Sequence, residues 1–426
     1  MMTARELAYR ALVQVERKGS FSNLALKEEL KHTAFSQRDR ALATALFYGV
    51  LQNRLSLDVQ LKRFCDLQKT PDAVLRLLRL GAFQILFMDK IPSSAAVNET
   101  VSMAKKIAPY GAGCCNSVLR KTAQAGLWLP PRENWEEYCS VRYSFPLWLV
   151  RKWKKQFGAE ELEPLLEGLS VRQPVTVRVN LNKATPEQVK QELPQLQESP
   201  FSDAFYFPGG ENLEALPAWQ QGRITAMQMS SMTACRAAKV EPGMHVCDMC
   251  AAPGGKTAYL AQMAGEKGHV DAWELHAHRA ELIRHNLKRL GITNCQVDCR
   301  DSAKFREPNR EAYDCVLIDA PCSGLGVVSQ KPELKWQDPD RMKELLPVQQ
   351  ALLRTGASYV KPGGFLLYST CTLNRAENET QVEQLMRERT DLQLDPSFGE
   401  GAGMRTLLPH RDNTTGFFIA RLKKKK

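Results

Sequence analysis

The sequence predicts a multidomain chain. An all-α N-terminal domain spans residues 1–127, a linker and small α+β subdomain follow over 128–222, and an α/β domain fills 223–426. Three observations carry this reading. Apolar residues recur at helical spacing up to about Gln124, with no strand-like alternation. Two adjacent prolines, Pro130 and Pro131, then break the pattern. From Gly243 onward short apolar runs alternate with helical stretches, as in a parallel sheet covered by helices on both faces. At 426 residues, 43% hydrophobic and 25% charged, the chain can bury two or three real cores.

In the first domain Leu7, Ala11, Leu12 and Val15 share one helix face, and Ala41, Leu42, Ala45, Leu46 and Val50 share another. "PDAVLRLLRLGAFQILFMDKIP" opens with Pro71 and Asp72, a helix start, and Pro92 closes it. In the second segment "PLWLVRKWKKQFG" reads as a helix and "VTVRVNL" as a strand. The third supplies strands at "HVCDMC", "GHVDAW", "NCQVDC", "YDCVLID" and "GFLLYST", with helices such as "AELIRHNLKRLG" between them.

Composition narrows the function. The longest apolar stretch, "GAFQILFM", is far short of a membrane span, and "MMTARELAYR" has no signal core. The twelve cysteines are therefore expected to be reduced thiols in the cytosol. The net charge of +11 is uneven: +9 lies in the first 127 residues and +4 in Lys423–Lys426, leaving −2 between. A basic N-terminal domain and a basic tail point to a polyanion, nucleic acid first, although a merely solvated basic face would read the same way.

The residues that carry chemistry fall just past the strand ends, where such sheets bind ligands. "CDMCAAPGGKT" follows the first strand, and its small residues let a ligand approach the backbone at a helix N-terminus; a simple tight turn is the plainer alternative. A phosphate loop would need glycine at position 250, which is Cys250. The dinucleotide fingerprint fails too, because Gly254 and Gly255 are adjacent. Glu274 ends the second strand about twenty residues later, where an acid meets ribose hydroxyls, and Asp301 past the third strand is placed for a base. Together they suggest a nucleoside-bearing cofactor without a pyrophosphate. Cys247, Cys250, Cys295 and Cys299 could make a four-thiolate zinc site. Their long gap and separate strands favour Cys247, Cys295 and Cys315 as buried small hydrophobes, and no metal is expected. Cys322 follows the fourth strand in "IDAPCSGLG" and Cys371 the fifth in "YSTCT". Neighbouring strands lie about 5 Å apart, so both thiols can face one pocket beside Asp319.

These residues closely resemble the Fmu/Sun family of RNA cytosine-5 methyltransferases. The resemblance runs from about Tyr143 to Leu422 through "YSFPLWLVRKW", "VRVN", "DMCAAPGGKT", "IDAPCSGLGV", "LKW", "STCT" followed by Glu377 and Asn378, and "GFFIARL". The N-terminal domain, with "QRDRALATALFYGVL", resembles the antitermination factor NusB. There are two departures: Gln228 precedes Met229 where members often carry aspartate, and "NTTGFF" stands where an aspartate–glycine pair is common.

The resemblance implies a Rossmann-like methyltransferase domain that binds S-adenosylmethionine along Cys250, Ala251, Ala252, Pro253, Gly254, Gly255 and Lys256. It also implies Glu274 on the ribose, Asp301 near the adenine and Asp319 near the methionine end. The NusB-like fusion implies 16S ribosomal RNA, with cytosine 967 as target. The rival readings are a transfer-RNA methyltransferase and an RNA-binding assembly factor with a vestigial catalytic domain. A cytoplasmic monomer, not bound to membranes, is expected.

The family's chemistry explains why two thiols are present. C5 of cytosine is a poor nucleophile until something adds at C6, and a thiolate is a suitable attacker. A free cysteine of pKa about 8.5 is only slightly ionised at neutral pH, so local charge or strand-end amides must help. Spacing alone leaves the attacker open. DNA cytosine methyltransferases use a Pro-Cys cysteine, corresponding to Cys322, while the RNA family uses the Thr-Cys cysteine. The resemblance therefore implies Cys371 as nucleophile, Cys322 in product release and Asp319 in protonation of N3.

Overall fold

The computed structural model describes residues 2–31, 33–208 and 212–426. The chain packs as two compact units: Met1–Val171 with Val328–Trp336, and Arg172–Val327 with Gln337–Lys426. The boundaries expected after residues 127 and 222 thus fall inside units. Local bonding explains both: Gln60 exchanges hydrogen bonds with the Trp128 backbone at 2.8 and 2.9 Å, and Asn180 donates to Gly222 O and Leu290 O at 2.7 and 2.8 Å.

The first unit is helical. Its opening helix, Ala4–Lys18, begins in a capping box, with Thr3 and Glu6 satisfying one another's backbone N–H. Leu7, Ala11, Leu12 and Val15 are buried, as expected. On helix Gln37–Gln52 the buried stripe is instead Ala43, Leu46, Phe47, Val50 and Leu51, while Ala41 and Ala45 face solvent. The large side chains, not the alanines, set which face turns inward, because they remove the most apolar area from water. Helix Asp72–Phe87 lies within the span bounded by Pro71 and Pro92. Its Arg76 and Arg79 are buried against Glu16 at 2.5 and 3.1 Å, and Arg79 also pairs with Asp58 at 2.7 Å.

The segment Val328–Trp336 completes this unit. Lys335 is fully buried, donates to Gln52 O and Ser144 O at 3.0 and 3.1 Å, and lies 4.1 Å from the centre of the Phe145 ring. Burial pushes its ammonium well below the ordinary lysine range.

The second unit holds two sheets. The smaller comprises β1 (Val175–Val179), β2 (Gln197–Glu198), β3 (Ala204–Phe207) and β4 (Ile224–Ala226), in order β2-β3-β1-β4 and antiparallel throughout. The "VRVN" motif fastens it: Arg178, fully buried, stacks 4.3 Å from the Tyr259 ring and bonds Gln262. Both partners lie on helix Gly255–Ala264.

The larger sheet contains β5 (His245–Asp248), β6 (His269–Glu274), β7 (Cys295–Cys299), β8 (Tyr313–Asp319) and β9 (Val360–Thr370), all parallel. The expected all-parallel sheet is extended by β10 (Leu392–Leu394), β11 (Met404–Leu407) and β12 (Phe417–Lys424), which pair antiparallel. The order is β10-β12-β9-β8-β5-β6-β7, with β11 also on β12. Successive strands run outward from β5 to β7, and the next returns to the other side of β5. The switch point therefore lies between β5 and β8, where the loops leave room for a ligand.

The expected lysine tail is structural in part, while Lys425 and Lys426 remain exposed. Lys423 and Lys424 belong to β12, and Lys424 is buried, donating to Glu311 at 2.8 Å and to Val360 O at 3.1 Å. An edge of the sheet recruits it because its backbone groups pair with β10. Among the described residues, no helix is long and apolar enough to cross a membrane.

Candidate active site

From Asp248 the chain turns through residues 249–254 into helix Gly255–Ala264. Gly254 takes φ +98°, and a Cβ there would lie 3.1 Å from Ile283, so the turn needs glycine. Asp248 holds the loop from beneath, accepting from Thr257 Oγ1 at 2.7 Å and Cys250 N at 3.4 Å. Burial drives its carboxyl up to about 6 against the opposing pull of Thr257 and Lys256. The Lys256 side chain, 15% exposed, donates to Asp319 Oδ2 at 2.7 Å, and Ser369 Oγ donates to Oδ1 at 2.8 Å. Burial alone would depress this lysine, but the Asp319 carboxylate overrides it and carries the ammonium to about 12.

Glu274 is buried at the end of β6, accepting from His276 N at 3.0 Å and pairing with Arg279 at 3.4 Å. Arg279 also donates to Ala252 O at 3.3 Å, and Asn286 to Pro253 O at 2.8 Å, so the strand-end acid and the loop share a brace. Sequence reading missed Arg279 and Asn286, which look like the ordinary polar face of a helix. Asp301 accepts from Ala303 N at 3.0 Å, and its neighbour Ser302 donates to Met249 O at 2.7 Å. Lysine neutralised by Asp319, with acids at the strand ends, suits ribose hydroxyls and a cationic ligand better than a polyphosphate.

The thiols sit beside this loop's partner strand. β8 and β9 pair with Asp319 opposite Ser369, and the chains beyond them bring Cys322 Sγ to 3.3 Å from Cys371 Sγ. Both residues are half-buried. The contact with Cys371, together with burial, holds the Cys322 thiol well above the usual range, so Cys322 keeps its proton at neutral pH. Gly326 N donates to Cys371 O at 2.9 Å, and a Cβ at Gly326 would lie 2.0 Å from Gly416 O. The last glycine of "IDAPCSGLG" is there for this close approach.

The two segments that carry the departures from the family pattern meet here. Thr415 Oγ1 donates to Gln228 Oε1 at 3.0 Å, and Ser230 bonds Thr414 and Thr415 at 3.1 and 2.9 Å. The four cysteines are not gathered within reach of one another: among the described residues, the one group of three potential ligands is His245, His269 and Asp271, toward the opposite ends of β5 and β6. Cys247 and Cys315 are buried as expected, but Cys295 is half-buried and Cys299 exposed, because β7 is the sheet edge.

A ligand loop at the switch point of an α/β sheet, lined by acids and closed by a paired lysine, defines a class: the S-adenosylmethionine-dependent methyltransferases. Comparison with known proteins narrows it. Residues 236–423 match the family described as 16S rRNA methyltransferase RsmB/F, residues 2–124 the NusB family, and residues 145–200 the ferredoxin-like domain of RsmF/B-like methyltransferases. The probable ribosomal RNA small subunit methyltransferase B of Bacillus subtilis (strain 168) is 35% identical, over 99% of each chain. The ribosomal RNA small subunit methyltransferase B of Escherichia coli O1:K1 / APEC is 32% identical, over 99% of this chain and 98% of its own. The crystal structure of PH0851 superposes with a TM-score of 0.82 at 28% identity, covering 98% of both chains. The chain belongs to the RsmB/F family of 16S rRNA methyltransferases. Its activity is methylation of small-subunit ribosomal RNA, with S-adenosylmethionine as methyl donor.

Proposed function

We propose that the chain methylates C5 of a cytosine in 16S rRNA, cytosine 967, through a covalent bond between Cys371 and C6 of the base. The observation that carries this reading is the pair of thiols 3.3 Å apart at adjacent strand ends. S-adenosylmethionine, when bound, supplies an electrophilic methyl group. The residues that would hold it are Cys250 to Lys256, Glu274 and Asp301, with Asp319 toward its methionine end.

The target base must leave its stack to reach these groups. Attack of Cys371 Sγ at C6 then raises electron density at C5. Both Asp319 oxygens already accept hydrogen bonds, from Lys256 and Ser369, so the Lys256–Asp319 pair together holds the proton that reaches N3. The C5 proton then passes to solvent water, its bonding electrons restore the C5–C6 double bond, and the C6–sulfur bond breaks. Cys322, which keeps its proton, is the donor that meets the departing Cys371 sulfur.

The test uses two variants. Cys371→Ser abolishes methyl transfer and forms no adduct, whereas Cys322→Ser still attacks and accumulates RNA–protein complex on a denaturing gel. The reverse pattern exchanges the roles, and no adduct in either variant sinks the covalent route. Mapping 5-methylcytosine in RNA from a strain lacking the gene tests the position: the mark disappears from 16S rRNA, and its loss from transfer RNA instead would refute the substrate.

A further inference from the structure

The carboxylate of Glu377 is fully buried and has no cationic partner among the described residues. It accepts four hydrogen bonds from neutral groups. Ser323 N and Oγ donate at 2.8 and 2.6 Å, Asn374 Nδ2 at 2.8 Å and Gln349 Nε2 at 3.1 Å. Ser323 follows Cys322 directly, and Asn374 lies three residues past Cys371. A buried charge without a counter-ion is costly unless hydrogen bonds saturate it. Here saturation requires both thiol-bearing loops to stand in one arrangement. Neighbouring contacts depend on that arrangement: Ser323 Oγ meets Thr372 Oγ1 at 2.7 Å, and Gln349 also donates to Pro321 O at 2.9 Å.

The geometry points to Glu377 as the positioning residue that sets the separation of Cys322 and Cys371, an inference that rests on the two-thiol reading above. Glu377 touches neither sulfur and acts through Ser323 on one side and Asn374 on the other. Only a carboxylate fits. Glutamine keeps the size but offers a single acceptor oxygen, and its NH₂ would face the donors of Ser323 and Gln349 or of Asn374.

Disulfide formation between the two thiols reads their separation without any methyl transfer. Diamide, an azo oxidant, takes up the two protons and two electrons released as the sulfur–sulfur bond forms. In the full-length protein at pH 8.5, Glu377→Gln is expected to slow formation of the Cys322–Cys371 disulfide at least tenfold, followed by mass spectrometry. Methyl transfer should show kcat reduced by a similar factor, with KM for S-adenosylmethionine within twofold. A folded Glu377→Gln protein that closes the disulfide at the wild-type rate overturns the inference. If the variant does not fold, Ser323→Ala, which removes one link of the clasp, decides by the same readout. Wild-type-like methylation by Cys371→Ser, beside a slowed disulfide in Glu377→Gln, would end the two-thiol reading and leave the clasp standing.

Discussion

A lysine of each unit, Lys256 in the second and Lys335 in the first, is withdrawn from water, and their proton affinities move in opposite directions. Lys256 faces Asp319 at 2.7 Å and is carried to about 12. Lys335 faces two carbonyl oxygens and a phenyl ring and falls well below the ordinary range. Both lose hydration, which favours the neutral amine. A full opposing charge reverses that loss, while carbonyl dipoles and a ring face do not. The lysine at the catalytic loop thus holds its proton through its pairing with Asp319, and the one in the helical unit is a long apolar stem with a tip that donates hydrogen bonds.

Substitution gives the sharpest way to break this contrast. Lys256→Met leaves Asp319 without its partner and is expected to destabilise the second unit by about 3–5 kcal/mol, the usual result of removing half of a buried pair. Lys335→Met removes an amine that has no counter-charge and should change stability by about 1 kcal/mol or less. Urea unfolding of both variants checks this, and equal losses would erase the distinction.

Asp248 extends the contrast to an acid. Its carboxyl is raised to about 6, so the folded state binds the proton more tightly than the unfolded chain. Stability from this group is present at low pH and is lost as pH rises from about 4 to 6, a span worth about 3 kcal/mol. Wild type minus Asp248→Asn, measured by denaturant at each pH, should show that downward slope; a flat difference would contradict it.

The lysines themselves should titrate oppositely. The contribution of Lys256 is full below 10.5 and declines as pH rises toward 12, by about 2 kcal/mol. For Lys335 the folded state holds its proton less tightly, so stability increases with pH until the unfolded lysine titrates. Difference curves against each Met variant above pH 9 test the signs, and slopes of the same sign would refute the account.

The smallest expected effect concerns exposed cations, which pair with nothing buried. Neutralising Lys62, Arg120 and Lys121 to glutamine should flatten the salt dependence of RNA binding by up to about 0.7 for each phosphate no longer neutralised. An unchanged slope would take these residues out of the RNA interface. Deleting residues 1–127 is a poorer test, because it removes Gln52 from Lys335.

The sequence made the parallel strands legible because each is a short apolar run bounded by turn residues, and the strand-end positions of Glu274, Asp301, Asp319, Cys322 and Cys371 followed. β10, β11 and β12 were harder, since β12 ends in lysines that read as a tail until Lys424 meets Glu311. Motifs were recognisable before their work was. "VRVN" and "LKW" carry no chemistry at the loop: Arg178 and Asn180 fasten a small sheet, and Lys335 packs in the helical unit. Glu377 was visible as part of a motif, but its partners lie 3, 28 and 54 residues away, a spacing no local pattern reveals.

The assignment of Val328–Trp336 to the helical unit has a consequence for the order of synthesis. A ribosome releases Met1–Val171 early, yet the lysine that fills the space beside Gln52, Ser144 and Phe145 emerges only after residues 172–327 have been made. At usual elongation rates that interval is roughly 8–30 s. Throughout it the first unit lacks its last piece, and translation of the catalytic loops must be nearly finished before the first-made part of the protein can close.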